Sequence, residues 1–241
     1  MQTARELFEA GKLNQAIEAL GAELRDNPSD AQRRTFLFEL LCFSGNWDRA
    51  DKQLEILAGS DPSGTKDRRL GALLYRAAIT AERTRQEMFR EKAPGNGVPS
   101  TPAGGWLNGR EYQSIEDSDP RVGARVEVLA GGNYMWVPLE QIVSIEMEPP
   151  KRLRDLVWAP ATIHTTTGFE GGDLGEVLLP VLSPFSSSHA DDAVRLGRIT
   201  VWEAAEDGAE IPFGQKMLLA DNEEIPLLEL RKLEIRRPAV H

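Results

Sequence analysis

Cysteine, histidine and long apolar runs are all scarce in this chain, and each shortage removes a class of protein. One cysteine, Cys42, stands among 241 residues, so no disulfide can close within the chain. A secreted disulfide scaffold is excluded and a reducing compartment is expected. The three histidines, His164, His189 and His241, are not spaced as metal ligands with one another or with Cys42, so neither a metal nor another cofactor is expected. No stretch approaches the roughly 18 apolar residues that a membrane span needs. The opening MQTARELFEAGK lacks a basic start followed by an apolar run, which predicts no signal peptide and a soluble, cytoplasmic protein. Basic side chains are the minority, 28 Lys and Arg against 38 Asp and Glu, for a net charge of -10. Such a surface repels phosphate backbones, so nucleic acid is not an expected partner. Short basic clusters such as Arg33-Arg34, Arg68-Arg69 and Lys151-Arg152 read as solvated faces.

What is present is an ordinary globular composition, 41% hydrophobic and 27% charged, sufficient for a core without disulfides or metal. Residues 1–62 carry an internal repeat. Gly11 and Gly45 are 34 positions apart, and the same offset pairs Leu7 with Leu41, Ala16 with Ala50, Leu20 with Leu54 and Pro28 with Pro62. Each unit reads as two short amphipathic helices, with a glycine letting the chain leave the first helix and a proline ending the second. Asp30 is placed to cap the first helix of the second unit. A period of 34 residues in helix-turn-helix form is that of tetratricopeptide repeats. A further helical stretch, about Asp67 to Lys92, reads as a long capping helix. In this register the concave groove of the array would present Arg5, Phe8, Thr35, Glu39, Phe43, Arg69, Leu73 and Arg76, a mixture suited to an amphipathic helix of a partner protein.

Residues 93–105, APGNGVPSTPAGG, hold four Gly and three Pro and read as a linker. The pattern then changes to short strands. Arg125–Leu129 and Tyr134–Val137 flank a turn at Gly131-Gly132 or Gly132-Asn133, a hairpin signature. Further strands are expected in 140–148, 156–166, 175–182, 214–220 and 226–235, with a helix in 191–201. Trp136, Trp158 and Trp202, with Trp106 at the edge, are expected to anchor the β core. The fold class is therefore α+β: a helical-repeat domain over 1–92, a linker over 93–105, and an antiparallel β-rich domain over 106–241 with one or two helices.

No motif for catalysis emerges. GSDPSGTK at 59–66 misses the phosphate-binding loop because Thr65 separates the second glycine from the lysine and the segment follows a helix. Ser63 to Lys66 matches S-x-x-K without the companion motifs of that hydrolase class. GFEGGDLGE at 168–176 reads as a turn. A rival reading, a hydrolase or sugar-binding β domain regulated by the repeat, needs converging carboxylates, or Asp155 and His164 within hydrogen-bond distance.

One block is more specific. Tyr134-Met135-Trp136-Val137-Pro138-Leu139-Glu140, then Ser144-Ile145-Glu146, Glu148-Pro149-Pro150, Leu153-Arg154-Asp155-Leu156 and Trp158 resemble the signature of the ImpE family, also called SciE or TagJ. Leu178-Leu179-Pro180, Gly214-Gln215-Lys216-Met217-Leu218 and Pro226-Leu227-Leu228-Glu229 extend the likeness. The resemblance implies a non-enzymatic, cytoplasmic accessory protein of bacterial type VI secretion. It would bind a helix of the small subunit of the contractile sheath and so influence recycling by an AAA+ unfoldase. No catalytic residue carries over.

Overall fold

The computed structural model describes residues 2–59, 66–91, 103–205 and 208–236. Residues 93–102 of the expected linker, the interior of the 59–66 segment with Pro62 and Ser63, and His241 lie outside the described residues.

Five helices open the chain. The first, α1 (Ala4–Glu9), starts at a capping box in which Glu6 N donates to Thr3 Oγ1 and Thr3 N donates to the Glu6 carboxylate. Gly11, at φ +74°, turns the chain into α2 (Leu13–Asp26). Asp30 caps α3 (Ala31–Phe43) by accepting from Arg33 N. Gly45, at φ +67°, makes the equivalent turn into α4 (Trp47–Gly59). The repeat-related pairs Leu7 and Leu41, Ala16 and Ala50, and Leu20 and Leu54 are all buried, which is why the 34-residue offset is visible in the sequence. The long α5 (Lys66–Arg90) packs on α4 and then runs onto the sheet.

The second half is antiparallel β. Its strands are β1 (Ala103–Leu107), β2 (Arg110–Asp117), β3 (Arg125–Ala130), β4 (Asn133–Pro138), β5 (Ile142–Met147), β6 (Trp158–Thr165), β7 (Gly175–Pro180), β8 (Thr200–Ala204), β9 (Glu210–Gly214), β10 (Met217–Ala220), β11 (Glu223–Pro226) and β12 (Lys232–Ile235). Ten of them form one sheet in the order β11-β10-β2-β1-β12-β5-β6-β7-β3-β4, and β8 and β9 form a separate hairpin. Gly131 and Gly132, both at positive φ, supply the two-residue turn between β3 and β4.

The sheet curls until β2 meets β3. Its concave side is filled by a cluster that includes Ile115, Val128, Leu139, Ile145, Ile163, Leu179 and Leu233. Its other side meets the helices in a second cluster that joins Leu13, Phe38, Phe43 and Ile79 to Leu129, Trp158 and Leu178.

Strand parity decides where the tryptophans go, and it differs from expectation. Ala159, Ala161 and Ile163 of β6 face the inner cluster, so Trp158 points outward. It is fully buried there between Trp47 of α4, at 6.0 Å, and Tyr75 of α5, at 6.2 Å. Trp136 likewise meets Phe89 of α5. These two rings fasten the sheet to the helices instead of filling the sheet's interior. The helix expected over 191–201 is a single turn, α6 (Asp192–Arg195), capped by Asp191. The stretch read as a linker reaches into β1 at Ala103.

Candidate partner-binding groove

Because the helices pack in chain order, α1, α3 and α5 line one side of the array. A trough of about 950 Å³ runs along them. Its floor is apolar, with Phe8 of α1, Phe36 of α3, Leu54 and Leu57 of α4, and Ala72 and Tyr75 of α5. Phe8 and Phe36 meet edge to face at 5.7 Å, and the Arg5 guanidinium lies 5.6 Å above the Phe36 ring.

The opposite wall belongs to the β half. It is the segment 150–156 between β5 and β6. The Asp155 carboxylate accepts from the backbone of Lys151 and Arg152, at 2.9 Å each, and so fixes this turn. Arg154 then reaches across to Glu39 of α3 at 3.0 Å and covers the Tyr75 ring at 4.9 Å. Burial raises the Glu39 pKa, and Arg154 only partly offsets it. A buried acid thus ties the repeat to the sheet along the trough's edge.

A second polar cluster lies deeper, at the seam between α5 and the sheet. Glu127 of β3 accepts two bonds from Arg85 of α5, at 2.7 and 3.1 Å. It also binds the Lys216 ammonium and accepts from the Tyr134 hydroxyl. Arg85 donates further to Glu82 at 3.0 Å and to the Leu182 carbonyl at 3.0 Å. Lys216 reaches Asp117 at 2.5 Å. Arg85, Glu127, Lys216 and Asp117 are all buried. Burial alone would favour neutral groups. Around Glu127, Arg85 and Lys216 overcome that penalty and hold its carboxyl well below the usual range. The Lys216 ammonium is in turn held above its usual range by Asp117 and Glu127, against its burial. Asp117, with Glu127 and Asp119 nearby, is pushed by burial up to about 6 despite Lys216.

The structure brings together only part of the expected groove. Arg5, Phe8, Thr35 and Glu39 line the trough. Phe43 is fully buried in the core. Arg69 and Leu73 are exposed outside the lining, and Arg76 is turned to Asp51 of α4 at 2.7 Å. On α5 the lining residues are Gly71, Ala72, Leu74 and Tyr75, one register away from those expected. The wall at 150–156 was missed as a lining element, although Leu153-Arg154-Asp155-Leu156 already stood out in the sequence.

Asp155 and His164, the pair named by the rival hydrolase reading, are not brought together. Asp155 is occupied by backbone amides, while His164 pairs with Asp173 at 2.9 Å on the surface. His189 meets Glu203 at 3.1 Å and accepts from Asp191 N. Burial raises the Cys42 thiol well above its usual pKa, against the nucleophilic thiolate form. Among the described residues no group of three or more His, Cys, Asp or Glu could hold a metal ion, and no helix is long and apolar enough to cross a membrane.

The fold and site define a class: a helical array fastened by buried ion pairs to a curled antiparallel sheet, with an open apolar trough along their junction. The chain belongs to the ImpE family, whose pattern, described as ImpE protein, matches residues 109–234. It is 32% identical to the type VI secretion system accessory component TagJ of Pseudomonas aeruginosa, over 96% of this chain and 90% of that protein. The crystal structure of protein VPA1032 from Vibrio parahaemolyticus superposes with a TM-score of 0.84 at 24% identity, covering 98% of each chain, and shows the same fold.

Proposed function

We propose that this chain is a non-enzymatic accessory component of a bacterial type VI secretion system. In this reading its tetratricopeptide-like helices capture an amphipathic helix of the small sheath subunit, and the bound state influences sheath recycling by the AAA+ unfoldase. The trough carries the reading: an open apolar floor of helix-array residues, rimmed by charges, is the form that accepts an amphipathic helix. Kinship with a type VI secretion accessory component supplies the biological setting. The expected linker ahead of β1 connects the two halves, and the cytoplasm is the site of action.

The test is binding of the purified full chain to the small sheath subunit. Retention by the wild type, with a loss of tenfold or more in the Leu74→Glu variant, is expected. Leu74 lines the trough and is half exposed, so the variant folds while its carboxylate meets the partner's apolar face. Absence of binding by the folded wild type overturns the reading.

A further inference from the structure

The trough does not stop at α5. Leu74 and Tyr75 also border a second recess of about 440 Å³ on the helix-facing side of the sheet. Strand register explains its chemistry. Across β5, β6 and β7, Glu146, Thr162 and Glu176 form one row, and Pro160 and Leu178 with Leu129 of β3 form a neighbouring apolar row. Residues at i and i+2 share a face, so Glu148 joins the side of Glu146. Among the described residues, Glu146 and Glu148 meet only exposed lysine ends, Lys232 at 3.8 Å and Lys151 at 3.7 Å. Glu176 is exposed and has no ion-pair partner among the described residues.

The trough's own lining leans to the opposite sign, with Arg5, Lys151, Arg152 and Arg154 against Glu9 and Glu39, Lys151 being shared with the recess. Arg5 at α1 and Arg152 on the wall are exposed, and neither pairs with a carboxylate among the described residues. Beside their shared border, α5 presents an exposed ridge at i, i+3 and i+4: Leu70, Leu73 and Leu74 are 64%, 63% and 48% exposed, and Leu74 lines both trough and recess. Three such leucines in a row form an apolar patch of the kind that marks an interaction site.

The geometry points to trough and recess as one bipolar docking track for a single occupant. That occupant is an amphipathic helical segment of a partner protein, apolar toward Phe36, Ala72 and Leu74, acidic beside Arg5 and Arg152, and basic where it passes Tyr75 onto Glu146, Glu148 and Glu176. The inference rests on the reading of the trough as a helix-binding site and adds a direction to it. Charges of opposite sign at the two ends let the partner lie one way round and oppose the reverse.

Titration calorimetry of the full chain with the small sheath subunit, at low and high salt, tests this. The double variant Glu146→Lys, Glu176→Lys should bind at least tenfold more weakly at low salt, with the deficit shrinking at high salt as exposed charges are screened. Glu176→Gln should lose at least threefold, which keeps the test independent of the folding of the double variant. Leu74→Glu should weaken binding at both salt concentrations. If the charge variants bind like the wild type while Leu74→Glu does not bind, the recess is no part of the track and the trough reading survives. If the wild type itself does not bind, both fall together.

Discussion

The two ends of α5 break opposite rules. Near its start, Leu70, Leu73 and Leu74 stand in solvent, where charge is the usual choice. Ten residues or so further on, Arg85 is buried against Glu127 and Glu82, where apolar residues are the usual choice. The apolar end adds nothing evident to folding and leaves surface for another molecule. The charged end adds nothing evident to binding and fixes how helix and sheet meet, because each of its groups needs partners in defined positions. On the proposed reading, stability and recognition are separated along one helix.

Breaking the buried end should have the largest effect. Glu127→Leu leaves Arg85 and Lys216 buried without their shared carboxylate. Losing one partner of a buried ionic group costs about 3–5 kcal/mol, measurable as a lower urea midpoint. Leu74→Glu, at the exposed end, should stay within about 0.5 kcal/mol of wild type in the same titration. Equal losses in the two variants would erase the comparison.

A second perturbation reaches the same cluster through the backbone. Gly214 sits at φ +105°, and a Cβ there would stand 2.1 Å from the Ile199 carbonyl oxygen. Its N–H donates to Ser186 Oγ, and its carbonyl accepts from Ser183 N. Two residues later Lys216 enters the cluster. Gly214→Ala should cost about 1–3 kcal/mol from the backbone conformation alone, with more from the clash, and lower the melting temperature accordingly.

Acid should expose the cluster's internal balance. The folded-state pKa of Asp117 is about 6 against 3.8 for the free side chain. A raised carboxyl pKa means that the folded state takes up its proton first. The stability this gives is present at low pH and is lost as pH rises through about 6. Wild type should therefore gain about 2 kcal/mol on Asp117→Asn between pH 7 and 4.5. Glu127 acts in the other sense. Its pKa is depressed, so its contribution holds at neutral pH and is lost as pH falls below the ordinary carboxyl range near 4.5. Urea titrations of both chains at the two pH values read the Asp117 slope, because the Glu127 contribution falls away only below that range.

The legible parts of the molecule were those with a period. The 34-residue offset marked the two helix pairs because the same buried positions recur, and the alternation in Arg125–Leu129 marked β3. The face of α3 was not legible. Residues Leu37 to Phe43 are all buried, so the sequence pattern does not separate inward from groove-facing positions, and Phe43, expected in the groove, lies in the core. Strands β1 and β2 gave no signal because AGGWL is glycine-rich and REYQSIED is mostly polar. The seam cluster was invisible because it joins α5, β3 and the start of β10 across 42 and 89 positions. Glu127 lies between valines as a solvent-facing residue would, but the solvent side of its strand is taken by α5.

The smallest predicted effect sharpens the comparison most. Gly71 lies within α5 and lines the trough, and a Cβ there would meet nothing within 4 Å. Gly21 lies within α2, away from the trough, and is equally unobstructed. An interior helical glycine costs roughly 0.5–1 kcal/mol relative to alanine, so Gly71→Ala and Gly21→Ala should each stabilise the chain by about that much. Their binding should differ. Gly21→Ala should leave affinity for the small sheath subunit unchanged, whereas Gly71→Ala puts a methyl group on the floor where the partner's apolar face would rest. Stabilisation by both with weaker binding only for Gly71→Ala would show that the chain keeps a destabilising residue in α5 to leave room for its partner. Unchanged binding for Gly71→Ala would place the partner elsewhere on the exposed leucine ridge.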